Sequence, residues 1–139
     1  MVAINTSGDE VTFLTLEQVL TIHAEGIRAH GGEPGVLDLG LIASAVYQPQ
    51  ASFGGHYLNR TLPAMASALG FSLVKNHGFC DGNKRVGFSA MDVFLRINGR
   101  ALVVSADEGE RAILAVAAGE MTRDQLTDWI GQHMVVLGE

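Results

Sequence analysis

A nine-residue segment from His77 to Arg85 carries most of the side chains whose types suggest chemistry. The imidazole of His77 is the kind of group that acts as general base for a hydroxyl. Asp81, four residues later, supplies a carboxylate of the kind that holds Mg²⁺ together with phosphate oxygens and water. Lys84 and Arg85 add two cations, and an arginine can grip a phosphate with two parallel hydrogen bonds.

The same segment enters a predicted helix through Gly82 and Asn83. Free N–H groups converge at a helix N-terminus, and the helix dipole favours an anion there. Lys84 and Arg85 in the first turn oppose that dipole, a local conflict that makes sense if an anion occupies the site. The segment therefore predicts transfer of a phosphate-containing group to a hydroxyl, with Gly82 and Asn83 cradling the phosphate.

Taken singly, these residues have plainer interpretations. Asp81 would be a helix N-cap, Lys84 and Arg85 a solvated face, and His77 a structural histidine. Cys80 is expected to be a small core residue. The joint pattern, with every group within nine residues, favours the functional interpretation.

Start and stop signals place six helices around this segment. Thr15, Ser105 and Thr122 each begin a capping-box pattern. The predicted helices run from about 16 to 29, 38 to 47, 63 to 76, 83 to 98, 106 to 118 and 123 to 136. Residues 101–104 and 11–13 are the strand candidates and are predicted to pair. The expected fold is all-α, with one short hairpin.

Two glycine-containing stretches are predicted loops. Residues 31–35 form a turn cluster. Residues 48–59 contain Pro49, Gly54 and Gly55, and on sequence alone a plain connector is the favoured interpretation. The length of that second stretch is a mild indication of a binding role.

Composition limits the classes of protein that fit. The chain has 139 residues, 47% hydrophobic and 17% charged, which predicts one globular domain over 1–139 with its core in 14–136. A net charge of −6 argues against direct nucleic-acid binding. The lone Cys80 excludes an internal disulfide. No basic leader or membrane-length apolar run is seen, so a cytoplasmic location without membrane contact is expected.

The segment from His77 to Arg85 resembles the signature of the Fic/Doc superfamily, and the chain is most similar to the death-on-curing (Doc) branch. The resemblance runs from Leu14 to His133 and includes the opening at 30–35 and the end of the motif helix at 94–99. It implies a compact helical fold in which the active loop leads into a central helix. It also implies a flap, at residues 48–59, that docks a target segment by β-strand addition.

Two positions bear on the chemistry. Most Fic enzymes, which transfer AMP, have glycine where this chain has Lys84 and a second arginine where it has Phe88. Doc-like members carry the lysine and lack that arginine, and they are similar to kinases. The resemblance thus implies ATP or another nucleotide as donor and Mg²⁺ on Asp81. His77 would be the base, and Lys84 and Arg85 would neutralise developing charge.

The resemblance also implies partners. A Doc-like toxin acts on elongation factor Tu and is inhibited by a separate antitoxin, whose C-terminal segment folds on binding. The alternatives are AMP transfer by the same loop, against which Lys84 and Phe88 count, and a catalytically idle binding module. Thr21, Glu25 and Gly26 match a pattern of inhibitory Fic helices, but they fall in the first core helix and are interpreted as a coincidence.

Overall fold

The computed structural model describes residues 10–138, and within that range six helices surround one apolar core. The helices are α1 (Leu16–His30), α2 (Leu39–Tyr47), α3 (Leu62–Asn76), α4 (Asn83–Ile97), α5 (Ala106–Ala117) and α6 (Arg123–His133). The strands are β1 (Ser52–Phe53), β2 (His56–Tyr57), β3 (Arg100–Leu102) and β4 (Met134–Val136). The all-α prediction is confirmed.

Helix starts follow the signals in the sequence. The Thr15 hydroxyl accepts the Gln18 N–H at 3.1 Å, and the Gln18 side chain accepts the Thr15 N–H at 2.8 Å. The same reciprocal pair begins α5 at Ser105 and α6 at Thr122. Each capping box satisfies two N–H groups that would otherwise lack partners, which is why the predicted boundaries hold at these ends.

Helices α3 and α4 pack most closely at a crossing made by two glycines. A Cβ on Gly87 would lie 2.6 Å from Val74 Cγ2 and 3.1 Å from the Gly70 carbonyl oxygen. A Cβ on Gly70 would overlap the Met91 side chain. The two backbones can approach only because both side chains are absent. This contact fixes the C-terminus of α3 relative to the N-terminus of α4, and the segment 77–82 joins them.

The predicted partner of the strand near residue 101 was wrong. β3 pairs antiparallel with β4, with Arg100 opposite Val136 and Leu102 opposite Met134. The last helix therefore ends at His133 instead of 136. The β-branched pair Val135 and Val136 suits a strand better than a helix end, and the long-range pairing decides the outcome.

Residues 11–13 form no strand. The Thr12 N–H donates to Asn98 Oδ1 at 2.8 Å, and Asn98 Nδ2 donates to the Thr12 carbonyl at 2.9 Å. A buried side chain at the end of α4 thus satisfies the backbone that a strand partner would otherwise satisfy. Val11 and Leu14 still enter the core from this extended segment.

The stretch 48–59 contains a short β-hairpin. Its interpretation as a plain connector was therefore wrong, and the small flap that the family resemblance implied is present. After a short 3₁₀ turn at Gln48–Gln50, β1 pairs antiparallel with β2. Gly54 and Gly55 have φ of 61° and 81°, the left-handed values that a two-residue hairpin turn needs. Asn59 anchors the base of the hairpin, because it donates to the Gln48 carbonyl and accepts from Arg123.

No helix within residues 10–138 is long and apolar enough to cross a bilayer. Residues 1–9 and Glu139 lie outside the described residues. The expectation about a basic leader falls on residues 1–9 and is not tested by the structure. The extent of the domain over 1–139 therefore stays a prediction.

Candidate active site

His77 ends α3 in a conformation that non-glycine residues rarely adopt. Its φ of 50° and ψ of 46° are left-handed, and among residues 10–138 it is the only non-glycine residue with positive φ. The side chain is exposed. Such backbone costs energy and persists only when the surrounding structure fixes it, as is common at functional sites.

The surrounding structure fixes the loop after His77 through its backbone. The Gly78 carbonyl accepts the N–H groups of Leu37, at 2.8 Å, and Asp38, at 3.0 Å. The Cys80 N–H donates to the Gly35 carbonyl at 3.1 Å. The turn cluster at 31–35 thus continues into a short β-bridge that holds one side of the loop. Cys80 itself is exposed, so its predicted place in the core was wrong.

Three buried side chains hold the other side of the loop. Phe79 is 1% exposed and stacks on the His23 ring, with centroids 3.7 Å apart. His23, from α1, has its Nε2 atom 2.7 Å from the Asp81 carbonyl oxygen. Asn83 accepts the Phe79 N–H and donates to the Phe79 carbonyl, so its side chain closes the turn. The Asn83 side chain is therefore engaged in the turn, and its backbone N–H lies at the helix N-terminus.

The His23 hydrogen bond has a measurable consequence for stability. In His23→Phe the ring stack on Phe79 remains, but the Asp81 carbonyl loses its donor. We expect the free energy of unfolding to fall by about 1 kcal/mol, the usual net contribution of one hydrogen bond, because this bond is only partly buried. Urea denaturation measures it. His23→Gln, which places an amide near the Nε2 position, should restore most of the loss.

The exposed His30, on the same helix, gives a matched control. His30→Phe should change the free energy of unfolding by no more than about 0.5 kcal/mol. Equal losses in the His23 and His30 variants would contradict the bracing role of His23.

Asp81 presents its carboxylate at the solvent-exposed mouth of the loop. One oxygen accepts the Glu33 N–H at 3.0 Å and the other accepts the Gly82 N–H at 2.7 Å. These two bonds hold the pKa of Asp81 below its ordinary value of 3.8, and the nearby charges of Arg85 and Lys84 lower it further. Gly32 must be glycine for this approach, since a Cβ there would lie 2.8 Å from the carboxylate.

The lowered pKa of Asp81 predicts how stability depends on pH. A carboxylate with a depressed folded-state pKa contributes stability above its unfolded value of 3.8, and the contribution disappears as pH falls through the folded-state pKa. The difference in unfolding free energy between wild type and Asp81→Asn should be constant near neutrality and shrink below about pH 4. Denaturation at a series of pH values tests this. A difference that grows on acidification would contradict the assignment.

Asp81 also fits a magnesium ligand. Each carboxylate oxygen has lone pairs left after one hydrogen bond, and Mg²⁺ bound with phosphates needs only one or two protein carboxylates. Residues 10–138 contain no cluster of three or more metal-ligating side chains. The described residues therefore do not form a metal site from protein ligands alone. They are compatible with a site in which Asp81 and a bound phosphate chain share the ion.

Lys84 and Arg85 lie in the first turn of α4 behind Gly82, whose φ is 76°. No side chain of the described residues caps this turn. Both cations are exposed; Arg85 Nη1 donates to the Gly31 carbonyl at 3.3 Å, and no carboxylate within residues 10–138 pairs with either cation. Positive charge and the open helix terminus therefore act together, and this end of α4 is suited to an anion.

A cleft of about 630 Å³ extends from this point between α4 and α5. Five predicted site residues line one end of it: Asp81, Gly82, Asn83, Lys84 and Arg85. His77 does not line the cleft and sits at the other end of the loop. Sequence reasoning missed the far wall, built by Gly109, Ile113 and Leu114 of α5. The only signal was the apolar periodicity of that helix, which does not distinguish a cleft from a core.

The inhibitory-helix pattern lies within α1. A Cβ on Gly26 would lie 3.3 Å from Arg85 Cδ, so this part of α1 supports the arginine side chain. Glu25 is exposed and forms no ion pair with any described residue. The pattern therefore occupies a core helix, as the sequence indicated.

The fold and the loop are those of the Fic/DOC family, whose model matches residues 13–95. The match spans more than half of the chain, and the chain belongs to this family. It is 43% identical over 95 residues to "Toxin Doc" of Mycolicibacterium smegmatis (strain ATCC 700084 / mc(2)155), which covers 68% of this chain and 71% of the relative. It is 30% identical over 114 residues to "Protein kinase doc" of Escherichia phage P1, covering 81% and 87%. Both relatives place it in the Doc branch.

Proposed function

We propose that this protein is a Doc-like toxin that transfers the γ-phosphoryl group of ATP to a serine or threonine hydroxyl of a target protein. The observation that carries the proposal is that one braced loop and the helix turn after it present an exposed imidazole, a carboxylate and two cations. The carboxylate and the cations line one end of a cleft, and no carboxylate within residues 10–138 forms an ion pair with either cation. The names of the two Doc relatives, a toxin and a protein kinase, support the same activity.

Each residue has a distinct task in this proposal. His77 accepts the proton of the attacking hydroxyl, and its exposed side chain is accessible to a residue of the target protein. Arg85 and Lys84 neutralise the charge on the transferred phosphoryl group, and the N–H groups that follow Gly82 bind its oxygens. Asp81 holds Mg²⁺, which supplies further charge neutralisation when bound. Transfer should therefore cease in excess EDTA and return when Mg²⁺ is restored.

Two labelled forms of ATP test the reaction. The purified protein is incubated with elongation factor Tu and ATP labelled at either the α or the γ phosphate. Label from the γ position on the target supports the kinase. Label from the α position would instead establish AMP transfer, and no label from either would contradict phosphotransfer to this target.

The toxin assignment predicts a partner as well. A cognate antitoxin with a segment that folds on binding would keep the activity in check. Expression of the chain alone should arrest growth, and co-expression of the antitoxin from a neighbouring reading frame should relieve the arrest. Elongation factor Tu as target would explain the arrest through loss of translation.

A further inference from the structure

The cleft at the anion site is longer than a phosphate group requires. Its volume of about 630 Å³ is in the range of sites for whole small molecules. Beyond Lys84 and Arg85, Phe88, Val104 and Ile113 give the wall an apolar section, and Asp92, Arg96 and Glu110 also line the cleft. The family match ends at residue 95, before α5 supplies the opposite wall. One end of the cleft is thus suited to anions, and the apolar section beside it to an apolar group.

Phe88 is held in this wall by a glycine of the facing helix. A Cβ on Gly109 would lie 3.0 Å from both Cε2 and Cζ of Phe88, tighter than ordinary contact. Gly109 is buried in the interior of α5, where glycine is less favourable than alanine. The missing side chain lets the Phe88 ring rest against the α5 backbone. The ring remains part of the cleft lining and is only partly buried.

The spacing between the two cations and the Phe88 ring suits a nucleoside triphosphate. Phe88 follows Lys84 by one turn, so both lie on one face of α4. Phe88 lies six positions after Gly82, which is about 9 Å along the helix axis. An extended phosphate chain with its ribose can bridge that distance. Glu110 and Asp92 line the same cleft. Asp92 already accepts from Arg96, and Glu110 offers a carboxylate acceptor to ribose hydroxyls or an amino group.

We propose that Phe88, positioned by Gly109, is the platform for the base of a purine nucleoside triphosphate whose terminal phosphate lies at Lys84 and Arg85. The base stacks on the ring, an interaction that every base can make and that grows with the area of the base. This inference rests on the proposed nucleotide donor and specifies where its base binds.

The test compares ATP with inorganic triphosphate, which shares the anionic end and lacks the base. Isothermal titration on the full chain should show wild type binding ATP at least tenfold more tightly than triphosphate, and ATP or GTP more tightly than CTP. Phe88→Ala should lower the affinity for ATP about tenfold and leave the affinity for triphosphate within twofold. Phe88→Leu keeps most of the bulk and loses the ring, so it should also bind ATP more weakly and triphosphate equally well. Because it fills the same space, it shows whether the effect of Phe88→Ala comes from the lost ring or from misfolding.

Gly109→Ala tests the support of the ring. The new methyl group must displace the Phe88 ring, so the preference for ATP over triphosphate should fall, although alanine favours the helix. Phe71→Ala is the control. Phe71 is a partly buried phenylalanine on α3 that lies under Lys75 and does not line the cleft. It should leave the ratio of the two affinities unchanged.

Distinct outcomes would overturn the two proposals. Equal wild-type affinities for ATP and triphosphate, or equal losses for both in Phe88→Ala, would refute the base platform while γ-phosphoryl transfer still stands. Wild type that binds neither ligand would refute the nucleotide donor and the proposed function with it.

Discussion

We expect His77→Asn to lower the rate of phosphoryl transfer by roughly 10²–10⁴, the usual contribution of a positioned general base. Asparagine is chosen because the backbone at position 77 is left-handed, with φ of 50°, and asparagine adopts that conformation more readily than most residues. The substitution therefore removes the base and keeps the loop. Single-turnover kinetics with labelled ATP measure the rate, and titration with ATP should show unchanged affinity.

His77→Gly supplies the control for backbone strain. Glycine adopts the same φ without strain, but its flexibility in the unfolded chain costs roughly 1 kcal/mol. The free energy of unfolding of His77→Gly should therefore be at most about 1 kcal/mol below that of His77→Asn. Both variants should be equally slow. A His77→Asn protein that retains nearly the full rate would remove His77 from the mechanism.

Lys84→Gly should lose γ-phosphoryl transfer by about 10²-fold or more, because one positive charge at the phosphate site disappears. The charge has no carboxylate partner within residues 10–138, so its removal leaves no buried ion behind. The helix should change little. A glycine in the first turn costs roughly 1 kcal/mol or less, and loss of an unfavourable dipole interaction of a few tenths of a kcal/mol offsets part of it.

Two further variants separate charge from space at position 84. Lys84→Ala keeps the helix propensity and removes the charge, so it should be as slow as Lys84→Gly. Lys84→Arg keeps the charge and should recover part of the rate. Intact-mass measurement of the target after incubation shows which group was added. An AMP-sized mass with wild type, or full phosphorylation by Lys84→Gly, would show that Lys84 does not select the reaction.

Local signals explain why most of the fold could be predicted. Capping boxes at Thr15, Ser105 and Thr122 and the proline at the start of α3 are encoded within a few residues of the ends they determine. The error at β3 has the opposite origin. Strand pairing between Arg100 and Val136 depends on contacts far apart in sequence, and no local pattern fixes such a partner.

The candidate site divides in the same way. Its charged groups were predictable because they are contiguous, from His77 to Arg85. The residues that hold these charged groups in place could not be predicted. His23 meets Asp81 across 58 positions of sequence, and Gly109 reaches Phe88 from another helix. Residues that position a site from a distance carry no motif, since their role is defined only by what the fold brings beside them.

The double hydrogen bond between Asn83 and Phe79 has a consequence for how the proposed activity could be inhibited. A turn closed by its own side chain, with His23 behind it and the 35–38 segment in front, has little freedom to be deformed. Inhibition by remote distortion would have to break the two buried bonds between Asn83 and Phe79 together with the bonds that His23, Leu37 and Asp38 make to the loop. An inhibitor must therefore compete for the cleft or cover His77, and its effect should be overcome by raising the concentration of the ligand it displaces.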